Sequence, residues 1–168
     1  PNHALTCSVC RKSLRSFAHD GVESVVSNIY KNYIHLPTAC QPHWEGQRKM
    51  TDIQVYLSDG TTQDLDVVTT LPTCASLGGG AAQCQAAWAA NDAAARNIKK
   101  HQETCKGNDV EFVPFSVESY GTIQEKAKEE IKQMAGLLLE AQPVIFSYST
   151  AVRYITEAVS TAIQKGNA

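Results

Sequence analysis

The stretch from Asp52 to Thr69 constrains the fold more than any other part of the chain. Residues 52–57 alternate: Ile53, Val55 and Leu57 share one side, and Asp52, Gln54 and Tyr56 share the other. Ser58-Asp59-Gly60 is a turn signal, and residues 62–69 alternate again, with Leu65 and Val67 opposite Asp64, Asp66 and Val68. The segment therefore reads as a hairpin, and its register follows from the loop length. A two-residue loop would pair Asp52 with Val67, setting an acidic side against an apolar one. A three-residue loop, with Gly60 in its last, left-handed position, pairs Ile53 with Leu65 and Asp52 with Asp66. Patterning and turn chemistry favour the second.

Opposed aspartates have a physical cost. Directly facing side chains have Cβ atoms roughly 5 Å apart, and like charges there repel. A hard divalent cation would offset the repulsion, and Mg²⁺ commonly takes one or two carboxylates together with substrate phosphate oxygens. This pattern points to metal-dependent phosphodiester chemistry through Asp52 and Asp66, with Asp64 on the same side; under a nuclease hypothesis Asp64 and Glu23 would assist as outer-shell acids. The competing reading is a solvated acidic face with no ligand. Two-acid hydrolysis also calls for a cation near the developing charge. Lys99 and Lys100 are the candidates, Lys99 being preferred because it lies nearer to Ile98 and the expected buried boundary. A solvated helix end, its lysines complementing the dipole, is the alternative for that pair.

The rest of the chain supplies helices and one more strong strand. Residues 1–17 read as loop. Val22, Val25, Val26 and Ile29 recur at helical spacing behind Asp20, up to about Tyr33, and Pro37 and Pro42 bracket a short irregular or strand segment. Gly78-Gly79-Gly80 closes a loop. An Ala-rich helix follows to about Cys105, with Cys84, Trp88, Ala95, Ile98 and Cys105 as its expected apolar face. A strand over residues 110–120 precedes an amphipathic helix over 123–141, whose buried stripe includes Ile131, Met134, Ala135 and Leu138. Pro143 breaks it, and a last helix over 149–164 turns Val152, Ile155, Val159 and Ile163 inward. The expectation is one α/β (α+β) domain over residues 1–168: a Cys/His segment (1–17), a core (18–121) and two C-terminal helices (122–168).

Composition narrows the possibilities. The chain has 168 residues, 43% apolar and 19% charged, enough for a core without crosslinks. Its formal net charge of −2 lacks the basic excess of a self-sufficient nucleic-acid binder. Any DNA or RNA binding would be local, metal-assisted or helped by a longer parent chain, of which a sequence starting at Pro1 reads as a C-terminal piece. No run is apolar enough to cross a bilayer, and no signal peptide is visible at the start. Of the six cysteines, Cys84 and Cys105 read as small buried hydrophobes. Cys7-Ser8-Val9-Cys10, with His3 before it and His19 after it, suggests structural zinc. Zinc needs four ligands, and either His3 with His19 or Cys40 with His43 would complete the pair. Surface thiols without metal are the plain alternative.

With these residues in view, the chain resembles the restriction-like endonuclease domain that follows the reverse transcriptase in some non-LTR retrotransposon proteins. The resemblance spans nearly the whole chain. His3-Ala4-Leu5-Thr6-Cys7 is similar to the family's His-Ala-Leu-x-Cys segment, and Ala18-His19-Asp20 to its Arg-His-Asn or Arg-His-Asp. Thr51-Asp52 resembles the Pro-Asp motif, and Asp66-Val67-Val68 the second acidic strand, with 13 residues between the aspartates. Lys99-Lys100-His101 is similar to the Lys-x2-Lys-Tyr helix motif. Residues 112–121 resemble a Phe-x-Pro strand ending in Gly, and Ser160 to Ala168 a helix ending in Gln-Arg-Gly-Asn-Ala. Membership would imply a PD-(D/E)XK core, a mixed sheet flanked by helices, with Asp52 and Asp66 holding Mg²⁺ or Mn²⁺ and a helix-borne lysine assisting. It would also imply a nuclear, intracellular location, with DNA as partner and RNA reached through the parent polyprotein. The chain departs from the pattern at Thr51 (for Pro), Val68 (for Lys) and Ala18 (for a basic residue). The expected function is a DNA-nicking endonuclease. The alternative is a zinc-containing docking or interaction module on a degenerate nuclease fold.

Overall fold

The computed structural model describes residues 8–42, 51–72 and 86–167, with side chains from residue 16 onward. Helix α1 (Ser8–Asn28) continues into a π-helical turn (Ile29–Tyr33). Then come β1 (Thr38–Cys40), β2 (Ile53–Tyr56), β3 (Thr62–Thr70), α2 (Trp88–Gly107), β4 (Val110–Glu118), α3 (Glu125–Ala141) and α4 (Tyr148–Asn167). The expected loop over residues 1–17 is corrected for its second half, because α1 starts at Ser8 and runs through the boundary placed at residue 18. The short segment between Pro37 and Pro42 is a strand, β1.

The four strands form one mixed sheet in the order β1-β2-β3-β4. The hairpin has the register that its turn chemistry requires. Ile53 pairs with Leu65 and Tyr56 with Thr62, leaving the amide of Leu57 to bond the carbonyl of Thr61 across the three-residue loop. Gly60 sits at φ +90°, a conformation that costs glycine little, and Asp59 Oδ1 accepts the amide of Thr61 at 2.8 Å. β4 joins β3 in parallel, pairing Leu65 with Val113 and Asp66 with Pro114, so the intervening α2 must cross over the sheet. Pro114 stands on an edge strand, where a missing N–H is tolerated.

Strand alternation sorts the side chains into two layers. Ile53, Val55, Leu65, Val67, Val113, Phe115 and Val117 pack with Val22, Val26 and Ile29 of α1, Ile131, Met134 and Leu138 of α3, and Ile155, Val159 and Ile163 of α4. These stripes are the expected ones, except that Val25 and Val152 are only half-buried. The opposite face belongs to α2, and here the expected apolar stripe is corrected. Trp88 and Ile98 are half-buried and Ala95 is exposed, whereas Ala89, Ala90, Ala93, Ala94, His101 and Cys105 are buried. The small alanines let the helix approach a sheet face rich in polar side chains. Cys105 is buried as expected, and Cys84 lies outside the described residues.

α2 also begins in an unusual way. Its N-cap residue is Ala87, at φ 60°, which has no side chain with which to cap. Glu118, at the end of β4 and 5% exposed, accepts the amides of Ala89 and Ala90 through Oε1 at 3.2 and 3.5 Å. A carboxylate here satisfies orphaned amides and complements the helix dipole.

Candidate functional site

Asp52 sits just before β2, where the regular ladder ends. Its amide bonds the carbonyl of Leu65 at 3.0 Å, and its carboxylate Oδ2 accepts the amide of Val67 at 2.8 Å. A side chain thus takes a donor that a strand carbonyl would otherwise accept. This ties the aspartate, 3% exposed, to the residue following Asp66. The β2–β3 pairing stops at Ile53–Leu65, and because the amide of Asp52 also bonds Leu65, the expected Asp52–Asp66 pair is not part of the ladder; Asp66 lies in the middle of β3.

α1 delivers the next group. One turn before the buried Val22, His19 directs Nε2 to Asp52 Oδ2 at 3.1 Å. Its Nδ1 lies 3.2 Å from Asp20 Oδ1 and 3.8 Å from Glu23 Oε2, Glu23 being one turn further along the helix. Three carboxylates therefore surround one imidazole. The hydrogen bond to Asp52, with that residue's charge and smaller contributions from Asp20 and Glu23, outweighs burial and lifts the pKa of His19 to about 9. At neutral pH the ring is an imidazolium.

α2 closes the acidic face. Asn97 Nδ2 donates to Asp66 Oδ2. Two turns on, Cys105 Sγ lies 3.9 Å from Asp64 Oδ2, while Asp64 Oδ1 accepts from Gln54 Nε2 at 2.8 Å. Burial first, then the charges of Asp64 and Asp66, pushes the Cys105 thiol up to about 11, so it remains a neutral donor. His101, between these contacts, is buried against the ring of Phe112, and burial lowers its pKa.

The expected site residues are therefore distributed unevenly. Asp52, His19 and Glu23 come together, whereas Asp66, in the middle of β3, bonds Asn97 of α2. Asp64 is fully buried beneath α2, where it bonds Gln54. Lys99 and Lys100 are both exposed, which corrects the placement of Lys99 near a buried boundary. The residue of that helix touching Asp66 is Asn97. Its spacing of four from Ala93 and His101 was a signal available in the sequence, obscured by the larger apolar residues Trp88 and Ile98. His3 and Cys7 lie outside the described residues, as does His43, and Cys10 is on α1 with its side chain undescribed. Cys40 is exposed, with Sγ 3.2 Å from Ser27 Oγ. His19, expected in a zinc set, meets Asp52.

Among the described residues, His19, Asp20 and Glu23 are the group whose ligand atoms lie mutually within 4.8 Å, a spacing compatible with one metal ion. A groove of about 560 Å³ elsewhere, along the open edge of β4 between α2 and α3, is lined by none of these residues. No helix among the described residues is long and apolar enough to cross a membrane. No protein-family model, curated protein or solved structure matches the chain.

Proposed function

We propose that this chain is a metal-dependent DNA endonuclease that nicks its target by phosphodiester hydrolysis, as part of a retrotransposon reverse transcriptase polyprotein acting in the nucleus. The observation that carries the reading is the meeting, where the β2–β3 pairing ends, of the Asp52 carboxylate with the imidazole of His19 and with the amide of Val67, the residue after Asp66. The mixed sheet flanked by helices supports it as well, being the kind of core that the sequence resemblance implies.

The donor atoms suit a divalent ion. Asp52 and Asp66 would hold it through oxygen, a donor type that suits Mg²⁺ or Mn²⁺, with Glu23 close to His19. Such an ion, when bound, supplies Lewis acidity toward a phosphate and an acidified water. The chain's own residues have separate tasks. The amide of Val67 fixes one oxygen of Asp52, and Asn97 fixes one of Asp66, so both carboxylates are oriented in advance. His19, protonated, offsets the local negative charge that would repel a phosphodiester. Asp64 acts at a distance through its bond to Gln54. Lys99 and Lys100, both exposed, serve as surface contacts for DNA phosphates.

The test is nicking of supercoiled plasmid in Mn²⁺ or Mg²⁺, with Asp66→Ala as control. Loss of nicking in the variant supports the reading, and equal nicking by both proteins refutes it. A second reading, a zinc-containing docking module without catalysis, draws on the exposure of Lys99 and Lys100, the expected catalytic cations. It would show as tight zinc by elemental analysis with a melting temperature indifferent to Mn²⁺.

A further inference from the structure

The C-terminal run Gln164-Lys165-Gly166-Asn167 belongs to none of the functions described above, yet it touches both parts that build the Asp52 site. Gly166, in the last turn of α4, crosses α1 at Ala18, the residue before His19. A Cβ built on Gly166 would lie 2.3 Å from Ala18 Cα, 2.4 Å from its N and 2.6 Å from its Cβ. Those are mostly backbone atoms, so no side-chain rotation would relieve the clash and one helix would have to move. One turn along each helix, Gly21 and Ala162 continue the close approach, with 3.5 Å to a Cβ built on Gly21.

The next residue reaches the sheet. Asn167 Nδ2 donates to the carbonyl of Ser119 at 2.6 Å, just past the end of β4. Ser119 in turn donates its amide and its hydroxyl to the carbonyl of Thr70 at 2.7 and 3.0 Å. Thr70 ends β3, the strand that carries Asp66 and Val67. The tip of α4 therefore contacts α1 one residue before His19, and through Ser119 it reaches the strand on which the carboxylate of Asp52 is fixed.

We propose that Gly166 and Asn167 are positioning residues for the Asp52 site, clamping α1 against β3 and β4 so that His19 meets Asp52. Gly166 sets how closely α1 lies, and Asn167 sets where the tip of α4 sits on the sheet. The catalytic consequence rests on the nuclease reading, but the clamp itself does not.

The experiment uses the full 168-residue chain. Imidazole NMR of His19 reads its hydrogen bond to Asp52, with His101 as an internal reference, in wild type, Gly166→Ala, Asn167→Ala and Gly136→Ala. Gly136 is a helical glycine with nothing within 4 Å of an added Cβ, so it controls for the substitution itself. Both clamp variants should lose the hydrogen-bonded His19 signal and keep that of His101, whereas Gly136→Ala should keep both. Where wild type nicks DNA, they should also lose turnover on the order of 10–100-fold with little change in KM, the size expected of a small misplacement. If Gly166→Ala fails to fold, Asn167→Ala decides. An unchanged His19 signal in a folded clamp variant overturns the proposal. Absence of nicking by wild type would overturn the nuclease reading and leave the NMR result to judge the clamp.

Discussion

On one face of the sheet, Leu65, Val67 and Phe115 meet α1, α3 and α4 chiefly through apolar atoms. On the other, Asp64, Asp66 and Glu118 meet α2 through individual hydrogen bonds. The first face tolerates exchange of one hydrophobic group for another of similar volume, because dispersion and burial are non-directional. The second does not, since Asp64, Asp66 and Glu118 there each depend on particular donors. The contrast separates a face that holds the domain together from one that holds a set of charges in place.

The largest expected effect breaks the first face. Leu65→Ala removes a fully buried side chain from the middle of the core and should cost about 2–5 kcal/mol in urea unfolding.

The next prediction concerns a polar exception within the apolar layer. Glu130 is 3% exposed and accepts a hydrogen bond from the hydroxyl of Tyr30. Burial raises its pKa from 4.5 to about 7, against the opposing effect of that bond. The folded state therefore binds this proton more tightly than the unfolded state. The associated stability is complete below pH 4.5 and is lost as pH rises through about 7, amounting to roughly 3 kcal/mol. Glu130→Gln should flatten that part of the stability–pH curve and be the more stable protein at pH 8. A slope identical to wild type between pH 5 and 7 would refute the assignment.

Glu118→Ala tests the polar face. It deprives Ala89 and Ala90 of their acceptor and should destabilise by about 1–2 kcal/mol, in the range of a lost helix cap. Glu118→Gln should recover part of the loss, because an amide oxygen still accepts. The smallest effect belongs to Gly136→Ala on α3, which has open space and should stabilise by about 0.4–1 kcal/mol.

The hairpin was legible because two independent local signals agreed: the alternation of Ile53, Val55 and Leu65, and a three-residue loop ending in Gly60. The stripes of α3 and α4 were legible for the same reason, as large apolar residues at helical spacing. The buried face of α2 was not. Its partner is a polar sheet, so Ala93, Asn97 and His101 face inward while the bulkier Trp88 and Ile98 lie at the margin. The start of α1 was hidden because cysteine density between residues 7 and 10 drew the reading toward a metal-binding loop. Asp52 and Asp66 were legible as candidates. The meeting of Asp52 with His19 was not, since it joins residues 33 apart and depends on where α4 holds α1. That dependence resides in a glycine, Gly166, whose role is visible only from what a side chain there would strike.

The central claim is that Asp52, just before β2, and Asp66, within β3, hold a divalent ion with which the chain cuts DNA. Its most direct test is the rate of Mn²⁺-dependent plasmid nicking by wild type and by folded Asp52→Asn and Asp66→Asn. The account expects a metal-dependent wild-type rate and a fall on the order of 100-fold in each variant. Nicking that persists undiminished in both variants, or a wild type that never cuts with any divalent ion, would contradict it.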